Sequence, residues 1–405
     1  MKLKLFHINT LQAPNLIGGA ERTVSTVSHS LAARGHTIHV FSTVPRDSVL
    51  ADVVSENFTG TYVGLKNFYW QFDGQHRSAL QKLAWHAQDA WNPAMGRILG
   101  AYMDAERPDI VLTHNLQGWS CNAWQQAVQR KIPVVHVIHD QSLLCPQTAM
   151  FRNGKPCETQ CASCRVLSLT RKSTQNNVTA VVAVSGAMLN RHERFGMFNA
   201  NQNKTVIYNS WRGAWPAERI PLPIEIHPAD GLTLGFMGRI ESEKGIDVLC
   251  DAWAQLKHRG VKLLIAGTGR PDYIVQLREK YGVPESCFLG MQTPEAFFPR
   301  VDLVVVPSRA YEGLGNVAFE AMVFGRPVIV SDQGGLPEIP DAASGSVVAG
   351  GDVPALIQAI SRYADSVEML QAQSVAARRR ATAFHPDRQA DAYESFLVDV
   401  LHKSK

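Results

Sequence analysis

The sequence has no apolar run long enough to cross a membrane, because its longest hydrophobic stretches have only the length of a strand. The continuous apolar segment of a signal peptide is also missing, since His7, Asn9 and Thr10 interrupt the first residues. Internal repeats and low-complexity tracts are absent as well. We therefore expect a globular protein that stays in the cytoplasm.

Two further absences exclude classes of function. The net charge is only +4, and no basic and aromatic interleaving or nucleic-acid motif accompanies it, so we expect no nucleic-acid partner. The loop after the first strand of each half lacks G-x-G-x-x-G, which argues against a dinucleotide-binding oxidoreductase.

Cysteine is scarce, at seven residues, and a reducing compartment argues against a disulfide framework. Within a predicted loop over 140–175, however, four thiols follow a spacing that can close a tetrahedral metal site: Cys145, Cys157, Cys161 and Cys164. The alternative is four reduced core thiols, but the polar and proline residues between them do not suit a core. We predict a structural zinc site.

Length and composition agree with two domains, since 405 residues exceed what one core usually organises and 45% of them are apolar. Strands and helices alternate over 1–210 and again over 231–384. Proline-rich sequence over 211–230 interrupts the alternation and predicts a linker. Residues 385–405 include a helical pattern.

The most informative segment is Glu312 to Glu320, which places two carboxylates at the ends of a glycine-rich turn from a buried strand into a helix. Such turns lie at the carboxyl edge of a parallel sheet, where ligands bind. Glycines allow close backbone approach, and N–H groups at the helix start face an anion such as phosphate. Glu320, one helical turn further on, suits a ribose diol. The residues in this turn are Gly313, Leu314, Gly315, Asn316 and Val317.

Upstream, a strand ends at Gly238 and is followed by two cations, Arg239 and Lys244. A second strand ends at Gly267, and Cys287–Gly290 is predicted to be a third. A pair of cations, a glycine-lined helix start and a ribose-binding carboxylate together suit a nucleoside diphosphate that carries a sugar, such as a UDP- or GDP-sugar.

The pattern R-x4-K followed by E-G-x-G-x4-E resembles glycosyltransferase family 4, the retaining enzymes of GT-B fold. The resemblance extends to the first half, where the loop of Gly18, Gly19 and Glu21 and a strand ending at His114 match the family in order. It implies an α/β protein of two Rossmann-like, doubly wound domains that face each other across a cleft. The last helix, 385–405, is then expected to return to the first domain.

The resemblance also implies roles. Arg239 and Lys244 would bear on the diphosphate, Glu312 on the transferred sugar, and His114 would orient that sugar. The loop of Gly18, Gly19 and Glu21 would approach the donor diphosphate and the acceptor, and we expect Gly238 and Gly267 at the donor as well. His139 ends the next strand, and for this residue a functional role and a structural role are both open. The chain has no D-x-D, so a divalent metal is not expected in catalysis.

The acceptor leaves two interpretations open. An aromatic stretch over 68–91 and the basic residues Arg165, Arg171 and Lys172 suit either a lipid interface or ordinary packing of an insertion. We predict a saccharide or lipid-linked saccharide acceptor, with peripheral contact to the inner membrane face, in cell-surface polysaccharide biosynthesis. The rival functions are a GT-B epimerase or phosphorylase and a non-catalytic nucleotide-sugar-binding subunit.

Overall fold

The computed structural model describes residues 1–15, 18–198, 203–215 and 231–404. Its strands are, in chain order, β1 (Lys4–Ile8), β2 (Thr37–Val44), β3 (Val53–Ser55), β4 (Phe58–Gly64), β5 (Ile110–Thr113), β6 (Val134–Ile138), β7 (Phe151–Arg152), β8 (Lys155–Pro156), β9 (Ala180–Ala183), β10 (Asn203–Val206), β11 (Thr233–Met237), β12 (Lys262–Ala266), β13 (Leu303–Val306), β14 (Val328–Ser331) and β15 (Gly345–Val348).

The α-helices are α1 (Gly19–Ala33), α2 (Ala79–Ala90), α3 (Pro93–Glu106), α4 (Asn122–Gln129), α5 (Ala162–Leu167), α6 (Leu169–Thr174), α7 (Gly186–Arg194), α8 (Ile246–Leu256), α9 (Pro271–Tyr281), α10 (Pro294–Phe297), α11 (Asn316–Val323), α12 (Val353–Asp365), α13 (Val367–Ala381) and α14 (Pro386–Ser404). Short 3₁₀ turns join several of them, including Ser242–Lys244 and Leu336–Glu338.

The first compact unit contains residues 1–150, 158–210 and 386–405. Its sheet has the strand order β10-β9-β6-β5-β1-β2-β4-β3, and only the β3–β4 pair is antiparallel. The central strands are buried on both faces, which requires the near-continuous apolar sequences found in β5 and β6. Parallel strands at the centre place the ends of β1, β5 and β6 at one edge.

The second unit contains residues 151–157 and 211–385. Its five-stranded sheet is parallel throughout, in the order β12-β11-β13-β14-β15. The strand β13 is short and rich in β-branched residues, and it is almost fully buried. Its core packs α8 and α12 against the sheet through residues such as Leu249, Trp253 and Ile360.

The predicted fold class, two parallel α/β domains, is confirmed. One detail was wrong: the segment Cys287–Gly290, expected as a strand, is a 3₁₀ turn at Glu285–Cys287 followed by a single bridge between Phe288 and Ile265. Most of the predicted linker, 216–230, lies outside the described residues.

The last helix, α14, belongs to the first compact unit. Arg34, just after α1, pairs with Asp391 at 2.5 Å and with Glu394 at 3.1 Å, and His36 Nε2 lies 3.0 Å from Glu394. In the part of the chain that the structure covers, no helix has the length and apolar character needed to span a membrane.

Candidate active site

An ion pair joins the two motifs of the second unit at the carboxyl edge of its sheet. Lys244 Nζ lies 2.7 Å from Glu312 Oε1. The same carboxylate oxygen accepts a hydrogen bond from Ser308 Oγ at 2.5 Å. Ser308 follows β13 by two residues and is buried, so the end of this strand places the hydroxyl that donates to Glu312. The structure thus brings together two predicted site residues that stand far apart in the sequence.

The protonation of Glu312 is set by these contacts. Burial alone would raise the pKa of this carboxyl, but the Lys244 ammonium and its hydrogen bond, the Ser308 hydroxyl and the charge of Arg239 together hold the pKa below its ordinary value. Glu312 is therefore a carboxylate at neutral pH.

The turn that carries Lys244 is fixed by the loop after β13. Backbone N–H groups of Arg309 and Ala310 donate to the Glu243 carbonyl at 2.9 and 3.0 Å. The Arg309 guanidinium donates to the Ser242 carbonyl at 2.8 Å and pairs with Asp247 at 3.0 Å. These bonds hold the backbone on both sides of Lys244.

Gly245 brings the start of α8 against the end of β13. Its φ of +70° lies in the left-handed region, and a Cβ atom there would stand 1.9 Å from the Pro307 carbonyl oxygen. Only glycine fits such an approach. The residue after the predicted catalytic lysine is therefore fixed by backbone contact.

Arg239, the other predicted cation, is 56% exposed at the side chain. It pairs with Glu241 at 2.7 Å and with Glu243 at 2.6 Å, both within its own loop. Its charge also helps to lower the pKa of Glu312, after the larger contributions of Lys244 and Ser308. Arg239 thus shares the electrostatic field of the site with Lys244.

The glycine-rich turn before α11 has the predicted form. Gly315 adopts φ +91° immediately before the helix, and a Cβ atom there would stand 2.3 Å from Leu336 Cδ2. The backbone of Glu312 pairs with Gly334, and Gly335 N–H donates to the Glu312 carbonyl at 3.0 Å. The turn is thereby pinned to the loop after β14. Gly313 and the buried Leu314 lie in this turn, and Asn316 and Val317 are the first two residues of α11.

Glu320 lies inside α11 and is only 5% exposed. Its Oε1 lies 3.3 Å from Arg212 Nη2, so a cation from the segment after β10 neutralises it. Its predicted role toward a ribose stays a prediction.

Gly238 and Gly267 meet each other at the ends of β11 and β12. A Cβ atom at Gly267, where φ is +136°, would stand 1.8 Å from the Gly238 carbonyl oxygen. Gly238 N–H donates to Ala266 O at 2.9 Å. The packing of the two backbones is therefore enough to require glycine at position 267. A contact of Gly238 and Gly267 with the donor stays a prediction.

In the first unit, the loop predicted to approach the donor caps its own helix. Gly18 and Gly19 begin α1, and Glu21 Oε2 accepts the Gly18 N–H at 2.8 Å. Burial raises the pKa of Glu21, the two N–H groups at the helix start lower it, and the nearby charge of Asp140 raises it. The carboxylate therefore serves the helix start, and its contact with a ligand stays a prediction.

His114 is the middle member of a chain of three imidazoles. His7 Nδ1 lies 3.1 Å from His114 Nε2, and His114 Nδ1 lies 2.9 Å from His139 Nε2. Both ring nitrogens of His114 are engaged and the residue is 2% exposed. His139 Nδ1, in contrast, has no hydrogen-bond partner among the described residues. A shallow concave surface is lined by His114, Asn115, His139, Asp140 and Ser142, among others.

The cysteine-rich loop brings three of its four thiols together. Burial, first, and the nearby thiols of Cys161 and Cys145 raise the pKa of the Cys164 thiol. Hydrogen bonds from Ser163 and from Cys164 lower the pKa of the exposed Cys161 thiol to about 7. Cys157 follows β8 directly. Within the described residues no group of three or more His, Cys, Asp and Glu side chains is arranged to hold a metal ion, and the zinc site stays a prediction.

Sequence reasoning missed several residues of these sites. His7 counted only as a polar interruption of the first strand, and Arg212 only as part of a linker. Ser308 stands at the end of a buried strand, which is a position where a polar side chain indicates a site. That signal was available in the sequence.

Solved structures of known proteins share the architecture over nearly the whole chain. The sucrose-phosphate synthase of Thermosynechococcus elongatus matches with a TM-score of 0.77 at 19% identity, over 99% of this chain and 100% of that one. The Anabaena protein HepE, in complex with UDP and glucose, matches with a TM-score of 0.68 at 19% identity, over 98% and 99% of the two chains. At this identity the likeness shows the fold, which is the GT-B fold of glycosyltransferases.

The chain belongs to glycosyltransferase family 4. The model described as Glycosyltransferase Family 4 matches residues 17–210, and the one described as Glycosyl transferases group 1 matches residues 231–366. The family resemblance predicted from the motifs is thereby confirmed.

Two proteins illustrate the similarity in sequence. An uncharacterized 42.6 kDa protein in a cps region of Klebsiella pneumoniae is 29% identical over 337 residues, which are 83% of this chain and 87% of that protein. A D-inositol 3-phosphate glycosyltransferase of Mycolicibacterium smegmatis is 36% identical over 169 residues, 39% of this chain and 37% of that one.

Proposed function

We propose that this protein is a retaining glycosyltransferase that transfers a sugar from a nucleoside diphosphate sugar to a saccharide or lipid-linked saccharide. The observation that carries the proposal is the Lys244–Glu312 pair of 2.7 Å at the carboxyl edge of the second sheet, beside the helix start at Gly315. A cation, a carboxylate and a helix N-terminus at one edge suit a phosphate-linked sugar. The UDP and glucose bound by the structural relative HepE support a donor of this class.

In the proposed reaction the bond between the anomeric carbon and the diphosphate oxygen breaks, and the acceptor oxygen forms a bond to the same carbon on the same face. The acceptor proton leaves with the departing diphosphate. Lys244 and Arg239 stabilise negative charge that grows on the diphosphate, and the helix start at Gly315 adds the positive end of its dipole. No divalent metal is required, because these cations of the protein neutralise the leaving group.

We propose a lipid-linked acceptor because the first unit carries exposed apolar residues on elements next to each other. α2 contacts α5, and the exposed residues on and around these helices are Phe68, Leu80, Leu83, Val166 and Leu169. Arg165 adds an exposed cation. We call these five apolar residues with Arg165 the α2–α5 face. The relative in a cps region supports a role in polysaccharide synthesis.

Not all of the predicted surface belongs to this face. Trp85 is 2% exposed and its indole N–H donates to the Tyr69 carbonyl, so this part of the aromatic stretch is ordinary packing. Arg171 is buried, donates to the Ser142 carbonyl at 2.9 Å and lies 3.7 Å from Asp89. The membrane interpretation therefore rests on exposed residues alone.

The experiment is a screen of the purified protein against UDP- and GDP-sugars for release of the nucleoside diphosphate, which needs no acceptor. We expect slow release from one donor, unchanged by excess chelator at short incubation, and a loss of orders of magnitude in Lys244→Ala and Arg239→Ala. Nucleotide binding without any turnover would favour the non-catalytic subunit. An immediate loss in chelator that magnesium restores would contradict metal-independent transfer.

A further inference from the structure

Each of the two carboxylates at the ends of the glycine-rich turn and its helix is paired with a cation. Glu312 pairs with Lys244, and Glu320 Oε1 lies 3.3 Å from Arg212 Nη2. Lys244 belongs to the predicted motifs. Arg212 belongs to neither motif, since it follows β10 in a segment that the sequence predicted to be a linker. The proposed transfer gives Arg212 no task.

The backbone beside Arg212 is anchored by its neighbour Trp211, which is 2% exposed. The Trp211 backbone N–H donates to the Phe384 carbonyl at 2.9 Å, and the indole N–H donates to the Ala214 carbonyl at 3.1 Å. The Trp211 ring meets the Phe324 ring edge to face, with 5.5 Å between their centroids. Phe324 directly follows α11. Packing as well as the ion pair therefore holds Arg212 beside this helix.

The two side chains of the pair differ in exposure. The Glu320 side chain is 6% exposed, whereas the Arg212 side chain is 29% exposed. An enclosed carboxylate is costly unless a cation or hydrogen-bond donors compensate its charge. Arg212 supplies such a cation, and it does so through a single nitrogen of its guanidinium. The contact therefore offsets the charge of an enclosed carboxylate and restrains the direction in which its oxygens point.

A restrained and compensated carboxylate suits the hydroxyls of a ribose. A carboxylate has about four lone-pair positions, so the contact with Arg212 leaves Glu320 able to accept from hydroxyl groups. A nucleoside diphosphate is itself negatively charged, and a carboxylate without its cation would repel it. With Arg212 in place, Glu320 can accept hydrogen bonds while its charge is offset.

We propose that Arg212 is a positioning residue for the ribose of the donor and acts through Glu320. It holds the carboxylate in place and offsets its charge, so that Glu320 accepts hydrogen bonds from the ribose hydroxyls. The inference deepens the proposed function and rests on it, because the ribose belongs to the nucleoside diphosphate. Discrimination between a ribose and a sugar without these hydroxyls then depends on a residue outside both motifs.

The test is calorimetric titration of the full chain with UDP and with GDP, each compared with its dideoxyribose counterpart, which lacks both hydroxyls. Such binding needs no acceptor and no turnover. We expect the wild type to bind one ribonucleotide at least about tenfold more tightly than its counterpart, because a site that bonds a hydroxyl rejects a ligand without it. Equal binding of the two forms would overturn this inference alone. Wild-type protein that binds neither UDP nor GDP would overturn the proposed donor, and this inference with it.

Substitution of Arg212 tests its part in this discrimination. Arg212→Met should reduce the ratio of the two affinities to about threefold or less, and Arg212→Lys, which keeps the cation, should hold it within about threefold of the wild type. Arg212→Gln, which also removes the charge, takes the place of Arg212→Met if that variant does not fold. Arg278→Met is the matched control, because the Arg278 side chain is 37% exposed and pairs with Glu285 at 3.1 Å. It should leave the ratio unchanged. An unchanged ratio in the neutral variants of Arg212 would overturn the inference.

A double variant separates action through Glu320 from direct contact with the nucleotide. Glu320→Gln should also lower the ratio, because an amide replaces the carboxylate. Addition of Arg212→Met to Glu320→Gln should lower it no further, since Arg212 then has no carboxylate to position. An additional fall by the factor seen for Arg212→Met alone would overturn the inference, because Arg212 would then act on the ribose independently of Glu320.

Discussion

At the residue scale, the contact between Lys244 and Glu312 gives two predicted site residues a part in the stability of the fold. Both side chains are largely enclosed, with 25% and 15% exposure, so the pair is little screened by solvent. The lysine compensates a carboxylate that burial would otherwise penalise. We therefore expect a substitution here to change the free energy of unfolding as well as turnover.

We predict that Lys244→Met lowers the free energy of unfolding by roughly 1 to 3 kcal/mol at pH 7, because it leaves the Glu312 carboxylate without its cation. The folded pKa of Glu312 is depressed, so the pair stabilises the fold above the ordinary pKa of a glutamate, about 4.3, and this contribution is lost as the pH falls through the folded pKa. The difference between the two proteins should then shrink below about pH 4. Denaturant unfolding at several pH values measures it.

Lys280→Met serves as the control, because Lys280 is exposed on α9 and its Nζ lies over the Tyr281 ring. We expect a change within about 0.5 kcal/mol at any of these pH values. An equal loss of unfolding free energy in Lys244→Met and Lys280→Met would show that the contact with Glu312 does not stabilise the fold.

At the element scale, a glycine at the start of α8 fixes the turn that carries Lys244, a predicted catalytic side chain. Gly245 and Gly260 both adopt left-handed conformations, at φ +70° and +79°. A Cβ atom at Gly245 meets the Pro307 carbonyl, whereas one at Gly260 meets no atom within 4 Å. An alanine at either position would therefore strain the backbone, but only an alanine at position 245 would also clash with a neighbouring atom.

We predict that Gly260→Ala costs about 1 kcal/mol from backbone strain alone, and that Gly245→Ala costs at least about 2 kcal/mol more. Gly245→Ala should also depress turnover, since relief of the clash moves the turn that carries Lys244. Thermal unfolding and donor turnover of both variants check this. Similar stability and activity in the two would mean that the close approach at Pro307 does not fix the turn.

The cysteine-rich loop is the second element with a testable organisation. Around a zinc ion, bonds of about 2.3 Å in a tetrahedron place sulfur atoms about 3.8 Å apart, a separation that thiols in contact already have. The thiols of Cys161 and Cys145 both act on the pKa of Cys164, although no group of three such side chains among the described residues is arranged to hold a metal ion. Cys157 is only four residues before Cys161, within about 14 Å of extended chain. We therefore keep the proposal of one structural zinc.

We predict about one zinc ion per chain in protein purified without added metal, and loss of that ion in Cys161→Ser. Four thiolates leave no open position for chemistry at the metal, so its loss should act through the loop. Because this loop directly follows His139 and Asp140, acceptor use should fall before nucleotide binding does. Cys287→Ser, outside the loop, should keep its zinc. Metal content near zero, with Cys161→Ser as stable and active as the wild type, would refute the site.

At the scale of the whole molecule, the sequence predicted the fold because strand and helix patterns alternate in both units. The motif residues could also be recognised in the sequence, because Arg239 and Lys244 are close to each other in the chain, as are Glu312 and Glu320. Contacts between distant segments could not be recognised in this way. Ser308 and Lys244 both bond to one carboxylate oxygen of Glu312, and His7 contacts His114, which is 107 positions further along the chain. Such contacts depend on strand order and register, which no local pattern contains.

The α2–α5 face leads to a prediction for the intact protein. Sedimentation with anionic vesicles should occur at low salt and fall as salt rises, because exposed apolar residues and cations act together at a lipid surface. Leu80→Ser with Leu83→Ser should weaken it, whereas Val275→Ser, an exposed apolar residue of the second unit, should not. Absence of binding at low salt would favour a soluble acceptor.

The most direct test of the central claim is the configuration of the sugar first released from an α-linked nucleoside diphosphate sugar. Proton NMR at early times distinguishes the anomers before they interconvert. A retaining transferase acting on water should release the α-anomer first, at a rate that Lys244→Ala lowers by orders of magnitude. First release of the β-anomer, or release that Lys244→Ala leaves unchanged, would contradict the account.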